Sequence, residues 1–144
     1  MKVINSITIV HSASRNFKEA LDLCIETAKK ENIEVKNILP VNEKGIDKVV
    51  SKKESDLILV IGGDGTMIRT VANLIDHEIP LLGINIGKLG FLTDLNVDSI
   101  SKVLPEVFSG KYQLEERPSL SIQVDDSESL IGLSKIQNLS LIHI

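Results

Sequence analysis

The feature that most constrains the fold is a glycine-rich turn that joins an apolar segment to an amphipathic one. The apolar segment, 57–61, is continuous and aliphatic, which predicts a strand buried on both faces. The turn that follows is Gly62-Gly63-Asp64-Gly65-Thr66. After it, apolar residues recur at helical spacing, namely Met67, Ile68, Val71, Ala72 and Ile75. A buried strand, a tight turn and a helix in this order predict one βα unit of a parallel sheet.

The same alternation runs through most of the chain. Further strands are predicted at 4–10, 33–39 and 80–84, and further helices at 16–31, 45–53 and 100–108. We therefore predict an α/β fold, a Rossmann-like parallel sheet with flanking helices, whose ligands bind at the carboxyl ends of the strands. Two local patterns refine this prediction. Asn16 with Glu19 resembles a capping box, and Pro105 is expected to kink the last helix or to end its first part.

After Gly110 the pattern changes to short strands, predicted at 112–116, 119–124 and from 130 onward, with a polar turn at 125–129. This change predicts the start of an all-β domain. We therefore divide the chain into an α/β domain (1–116), the first strands of a truncated β domain (117–138) and a terminal segment (139–144).

Composition argues against several classes of partner. The 144 residues carry a formal net charge of −4, with one Tyr, three Phe and no Trp. Neither a general nucleic-acid binder nor a protein of anionic membrane surfaces is expected from this balance. No apolar stretch reaches the roughly 20 residues of a membrane span and no leader is evident, which favours a cytoplasmic location.

Several isolated polar residues are expected to be structural. Cys24 falls on the apolar stripe of a predicted helix and is expected to be a buried core thiol. His11 and Ser12 end the first strand and are expected to be loop residues, the alternative being a contact with the site. His77 follows a helix and is expected to be a solvated cation. Because no second His or Cys lies near it, no protein metal site is predicted.

Asp64 gives the glycine turn its chemical character. Bare backbone N–H groups at the start of a helix favour a bound phosphate, yet Asp64 places a negative charge there. The carboxylate must then hold a metal ion or act as a base toward an attacking hydroxyl, which indicates phosphoryl transfer. The alternative is that Asp64 simply caps the helix, but a cap does not require glycines at three of four neighbouring positions.

A second loop follows the fourth predicted strand, with the sequence Asn85-Ile86-Gly87-Lys88-Leu89-Gly90-Phe91-Leu92-Thr93. Parallel topology would place it beside the glycine turn. Its glycines suit a loop laid along a ligand, and Asn85 offers both a donor and an acceptor. Together the two motifs predict one site at adjacent strand ends.

Gly-Gly-Asp-Gly-Thr followed by Asn-x-Gly-x-Leu-Gly-Phe-Leu resembles the bacterial NAD kinase family. The first motif is shared with diacylglycerol and sphingosine kinases, and a close variant occurs in phosphofructokinases. The second motif is much more particular to NAD kinases. Arg117 with Leu120 also resembles the Arg-x-x-Leu that opens the β domain of that family. The similarity extends from the start of the chain to about Asn138.

The resemblance implies that Asp64 is the catalytic carboxylate, which accepts the proton of the adenosine-ribose 2′-hydroxyl of NAD as that oxygen attacks the γ-phosphorus of ATP. It implies NAD contacts by Asp64, Gly65, Arg69 and Asn138. It places Gly62, Gly63 and Thr66 along the ATP phosphates. The residues that it implies for a supporting loop are Asn85, Gly87, Leu89, Gly90 and Phe91. Mg²⁺ or another divalent cation is expected to accompany ATP.

The β domain of this family supplies an Asn followed by an acid to NAD, and much of a homo-oligomer interface. Here Leu139 follows Asn138 instead of an acid. The 144-residue chain by itself is therefore expected to be inactive. Two alternatives to an NAD kinase remain at this stage, a lipid kinase of the diacylglycerol or sphingosine type and a non-catalytic nucleotide-binding module.

The last six residues, Leu139-Ser140-Leu141-Ile142-His143-Ile144, are the translation of CTGTCTCTTATACACATC, a transposase adaptor used in sequencing libraries. We expect 139–144 to be adaptor read-through on a truncated gene, the alternative being a genuine edge strand. Sequencing of an independent clone across the 3′ end is expected to show a different continuation after Asn138. A natural stop codon after Ile144 would contradict this expectation.

Overall fold

The computed structural model describes residues 2–13, 16–51, 53–88, 90–93, 95–125 and 130–143, and gives the backbone alone for 117–125, 130–139 and 143. Its strands are β1 (Ser6–His11), β2 (Glu34–Pro40), β3 (Leu57–Gly62), β4 (Leu81–Asn85), β5 (Leu95–Asn96), β6 (Gln113–Asp125) and β7 (Leu130–His143). Its α-helices are α1 (Lys18–Lys30), α2 (Ile46–Val49), α3 (Asp64–Leu74) and α4 (Ile100–Phe108). Short 3₁₀ turns cover Ile75–His77 and Val97–Ser99. None of the helices in the described ranges has the length and apolar character that a bilayer crossing requires.

The strands form one sheet in the order β2-β1-β3-β4-β7-β6, and β5 also pairs with β4. Strands β1 to β5 pair in parallel, whereas β6 and β7 form an antiparallel hairpin that joins β4 through the pair Leu81 and Leu141. The predicted α/β fold with a parallel sheet is confirmed. From β1 the chain moves outward to β2, and from β3 it moves outward in the other direction to β4. The strand order therefore reverses between β1 and β3, which is where ligands bind in such sheets.

Strand β3 is buried on both faces, as its aliphatic run predicts. Leu57, Leu59 and Ile61 pack in the apolar cluster that contains α1 and α4. Ile58 and Val60 pack in the opposite cluster, with α2 and α3. Helices thus cover both faces of the sheet, and side chains of successive residues serve opposite layers because the period of a strand is two.

Helices α1 and α4 pack their apolar residues in one cluster, whereas the predicted face of α3 is rotated. Met67 and Val71 face the core, whereas Ile68 is 58% exposed. Ala72 is exposed as well, and the inward face is completed by Thr70 and Leu74. At 3.6 residues per turn, positions 67, 70, 71 and 74 share one side of the helix, and that side meets the sheet.

The predicted capping box at Asn16 is wrong in its register. The helix begins at Lys18 after Phe17, whose ring stacks on the His11 ring at 3.8 Å. Asn16 Oδ1 accepts one bond from the Lys18 N–H at 3.4 Å. Glu19 is therefore the second helical residue and not the third, the position from which a capping box closes.

Three further boundaries differ from prediction for local reasons. The helix predicted at 45–53 is only Ile46–Val49, because Val50 takes an extended backbone and is fully buried. Pro105 does not end α4, which continues to Phe108. Proline has no backbone N–H, so the Ser101 carbonyl lacks its helical hydrogen-bond donor. Ser101 is exposed, so water can take the place of that donor. The strands predicted at 112–116 and 119–124 are one strand, because Pro118 lies on the edge strand of the sheet, where a missing N–H is tolerated.

His77 is buried, whereas a solvated position was predicted. It is 5% exposed, and its Nε2 lies 2.9 Å from the Asp47 carbonyl oxygen, which joins the turn after α3 to α2. The 3₁₀ turn at Ile75–His77 directs the imidazole inward, an outcome that spacing along the sequence does not show.

Cys24 is a core thiol, as predicted. It is fully buried in the layer beside α4, and burial raises the pKa of its thiol to about 12. We expect iodoacetamide at pH 8 to alkylate the folded chain roughly a thousandfold more slowly than the chain in denaturant, because the thiolate is the reactive species. Mass spectrometry after timed quenching measures both rates. Equal rates with and without denaturant would contradict this placement.

Asp56 connects the amino ends of β1 and β3. Its carboxylate accepts bonds from the N–H groups of Asn5 (2.8 Å) and Ser6 (3.3 Å) and pairs with Lys2 Nζ at 3.1 Å. Burial acts to raise the pKa of Asp56, but these bonds outweigh it and hold the pKa below its usual value.

The lowered pKa of Asp56 predicts a pH dependence of stability. Because the unfolded chain takes up the proton first, this stabilisation is complete above about pH 4 and is lost as the pH falls through the lower, folded-state pKa. Asp56→Asn is expected to cost about 1–3 kcal/mol at pH 7 and to flatten the acid side of the profile. Urea unfolding between pH 2 and pH 7 measures this, and an unchanged acid slope in the variant would contradict it.

Candidate functional site

Asp64 lies where β3 passes directly into α3, as its first helical residue. Its carboxylate accepts two backbone hydrogen bonds, from the Phe91 N–H to Oδ2 and from the Leu92 N–H to Oδ1, each 2.9 Å long. The two motifs of the sequence therefore meet at this carboxylate. Hydrogen bonds to a charged acceptor are stronger than neutral ones, so the side chain is held in one orientation.

Gly90 makes this contact sterically possible. A Cβ built on Gly90 would collide with the Asp64 carboxylate. Gly62 has a similar relation to Thr66, because a Cβ at Gly62 would meet the Thr66 side chain. The glycines at both positions thus allow close approach, and the loop and the helix start pack more tightly than side chains would permit.

The second loop is anchored to the glycine turn through its first residues. Asn85 pairs in register with Gly62, and the Ile86 N–H donates to the Gly62 carbonyl at 3.2 Å. The Asn85 side chain is buried, and its Oδ1 accepts the Gly87 N–H at 3.0 Å. Asn85 therefore shapes the loop with the acceptor that was predicted to face a ligand. Phe91 is 90% exposed beside Asp64, and Leu89 lies outside the described residues.

A cleft of about 270 Å³ opens beside Asp64 at the reversal of strand order between β1 and β3. Its lining residues are Ser12, Ala13, Val41, Gly63, Asp64, Gly65, Thr66 and Arg69. The first turn of α3 lies along it, and the first N–H groups of a helix have no acceptor within the helix. Those groups and the Arg69 side chain are donors that suit a phosphate, and Arg69 balances the single negative charge of Asp64 in the lining.

Sequence reasoning assigned Ser12 to a loop and did not consider Ala13 or Val41. Ser12 is 4% exposed and its N–H donates to the Ile61 carbonyl at 2.8 Å, so it extends β1 beside the glycine turn. The Val41 N–H donates to the His11 carbonyl at 2.8 Å, which places the end of β2 on the same cleft. The available signal was the position of Ser12 at the carboxyl end of a strand.

Asn138 is placed away from this cleft. Its backbone pairs with Pro118 in the terminal hairpin, and its side chain lies outside the described atoms, as do those of Arg117 and Leu120. Strand β7 meets β4 at Leu81, the amino end of β4, whereas Asp64 lies at the carboxyl ends of the strands. Among the described residues there is also no group of three or more His, Cys, Asp or Glu side chains arranged to hold a metal ion.

The fold and the site define a class of protein, a parallel α/β domain with a glycine turn that carries a carboxylate and opens a helix beside a cleft. The sequence profile of the ATP-NAD kinase N-terminal domain matches residues 6–112, more than half of the chain. The chain belongs to the NAD kinase family.

Individual relatives agree with this assignment. An NAD kinase of Clostridium kluyveri is 34% identical over 120 residues, which cover 74% of this chain and 42% of the relative. An NAD kinase of Thiobacillus denitrificans is 49% identical over 71 residues, covering 49% of this chain and 24% of the relative. The crystal structure of yeast NADH kinase complexed with NADH has the same fold, with a TM-score of 0.61 at 19% identity over 95% of this chain and 47% of that one. The chain thus spans less than half the length of these relatives.

Proposed function

We propose that the complete protein containing this chain is an ATP-dependent NAD kinase that makes NADP. The observation that carries the proposal is the junction of the two motifs, in which the Asp64 carboxylate is held by the Phe91 and Leu92 amides at the rim of the cleft. Relatives named NAD kinase and a related fold that binds NADH support the identity of the substrate.

The proposed reaction transfers the γ-phosphoryl group of ATP to the 2′-hydroxyl of the adenosine ribose of NAD. The hydroxyl oxygen forms a bond to the γ-phosphorus while the bond from that phosphorus to the β,γ-bridging oxygen breaks, and ADP leaves with the electron pair. Asp64 accepts the hydroxyl proton. The two amides occupy one side of its carboxylate, and each oxygen has a second lone pair for the substrate.

The phosphates are proposed to lie along the cleft. We assign Gly62, Gly63 and Thr66 to these phosphates, with the first turn of α3 along the cleft, and Arg69 balances the charge that develops on the transferred group. We assign the NAD contacts of Asp64, Gly65 and Arg69 to the rim of the same cleft. A contact between Asn138 and NAD is proposed for the complete protein.

Mg²⁺ is proposed to enter as the magnesium complex of ATP. Asp64 is the one carboxylate among the described residues that line the cleft, and a resident metal site needs more ligands than this. The ATP phosphates would supply most of the oxygens around the ion. We further propose a homo-oligomer in the cytoplasm that does not bind nucleic acid or membranes, in agreement with the net charge of −4.

A coupled assay tests the proposal on the complete protein. NAD and magnesium-ATP are expected to yield NADP, detected by reduction with an NADP-specific dehydrogenase, whereas diacylglycerol or sphingosine vesicles with radiolabelled ATP are expected to yield no labelled lipid. Labelled lipid without NADP would identify a lipid kinase. Binding of both nucleotides without any product would identify a non-catalytic module, and either result would overturn the proposal.

A further inference from the structure

Gly83 lies in the middle of β4, where it is buried and is not among the residues that line the cleft. It pairs with Val60 of β3 and faces α3. A Cβ at this position would lie 2.6 Å from the Leu92 carbonyl oxygen, 2.8 Å from the Thr93 Cγ2 and 2.9 Å from the Met67 Cε. All three distances are shorter than non-bonded carbon contacts allow. These three atoms therefore occupy the space that a side chain at position 83 would need.

The segment 90–93 therefore rests directly on the backbone of β4. Within the segment, Thr93 is 1% exposed, while Phe91 is 90% exposed. The residue whose carbonyl oxygen approaches Gly83, Leu92, is also a residue whose N–H holds Asp64. The Leu92 carbonyl carbon and the Leu92 nitrogen are bonded to the same Cα, so raising that carbonyl would also displace the Leu92 N–H. The Phe91 N–H lies one residue earlier in the same short segment and would be displaced with it.

We propose that Gly83 is a positioning residue that sets the orientation of the Asp64 carboxylate from beneath the loop. It does so by letting segment 90–93 settle low enough for its two amides to reach both carboxylate oxygens. The consequence for catalysis rests on the proposed function, whereas the effect on the two amides does not.

The groups packed over Gly83 differ in how easily they can move. Of the three groups over Gly83, the Met67 Cε is the end of a flexible side chain and can move, but the Leu92 carbonyl belongs to the backbone of the loop. An added methyl group is therefore expected to displace the loop before it disturbs the sheet. Gly65 offers a matched control, because a Cβ there meets no atom within 4 Å.

The test uses the ¹⁵N-labelled 144-residue chain. In Gly83→Ala, the Phe91 and Leu92 amide protons are expected to move upfield and to exchange with solvent at least tenfold faster, while the Leu59 amide in β3 is unchanged. Gly65→Ala is expected to leave the Phe91 and Leu92 signals in place. Unchanged signals of these two amides in folded Gly83→Ala would overturn the proposal.

Asp64→Ala gives an independent test if Gly83→Ala does not fold. If the packing of segment 90–93 on Gly83 positions the loop, removal of the carboxylate leaves the Thr93 amide and methyl signals as they are in the unmodified chain. If Asp64 instead positions the loop, Thr93 becomes accessible to solvent and the proposal fails.

In the complete protein, Gly83→Ala is expected to lower kcat at least tenfold with the KM values for NAD and ATP within threefold. If the two amides respond but the unmodified complete protein makes no NADP, the proposed function fails while the role of Gly83 in positioning Asp64 stands. A change in KM with kcat preserved would overturn the catalytic consequence.

Discussion

Asp64→Asn in the complete protein is expected to lower kcat for NADP formation by about 10²–10⁴-fold, the usual contribution of a positioned proton acceptor. The substitution removes the base. It also replaces one carboxylate oxygen by an NH₂ group. That group faces a backbone N–H that now donates to the carboxylate, so two donors face each other. Steady-state kinetics with saturating NAD and magnesium-ATP measure the loss.

Asp22→Asn is the matched control for this variant. Asp22 is an exposed residue of α1, and the same chemical change there is expected to leave kcat within twofold. Thermal unfolding of both variants shows whether the loss of activity is a loss of fold. An Asp64→Asn protein that retains kcat within threefold of the unmodified protein would argue against Asp64 as the base.

Gly90→Ala is expected to reduce kcat at least tenfold and to cost about 1–3 kcal/mol of stability, the usual range for an overpacked site. The added Cβ collides with the Asp64 carboxylate, so the carboxylate or the loop must shift. The two hydrogen bonds from the backbone N–H groups to the carboxylate are then lost. Urea unfolding of the 144-residue chain measures the stability term without any assumption about activity.

A double-mutant cycle isolates the cause of that cost. In an Asp64→Ala background the colliding carboxylate is absent, so Gly90→Ala is expected to cost far less than in the unmodified chain. Gly65→Ala, whose Cβ meets no atom within 4 Å, is expected to hold or raise the stability, because alanine is the better helix former. An equal cost of Gly90→Ala in both backgrounds would show that the collision with Asp64 is not its source.

Local pattern was sufficient for the elements and for the position of Asp64. The aliphatic run before Gly62 predicted a strand buried on two faces, and the structure buries all of it. The order of elements predicted the parallel sheet and placed both motifs at the same edge. Local pattern failed where a neighbour in space decided the outcome, as at His77, which turns inward to the Asp47 carbonyl, and at Ile68, which faces outward.

The amino-acid sequence by itself determined the order of strands and helices, the glycine turn and the carboxylate in it, because these depend on residues within one or two turns of each other. Only the tertiary structure decided what holds that carboxylate. The Phe91 and Leu92 amides are 27 and 28 positions from Asp64, and they reach it because Gly62 pairs with Asn85 and the loop settles on Gly83. The walls of the cleft at Ser12 and Val41 have the same origin. Contacts over such separations depend on strand register and on side-chain volume in the assembled sheet. The spacing of apolar residues along the chain predicts neither of these.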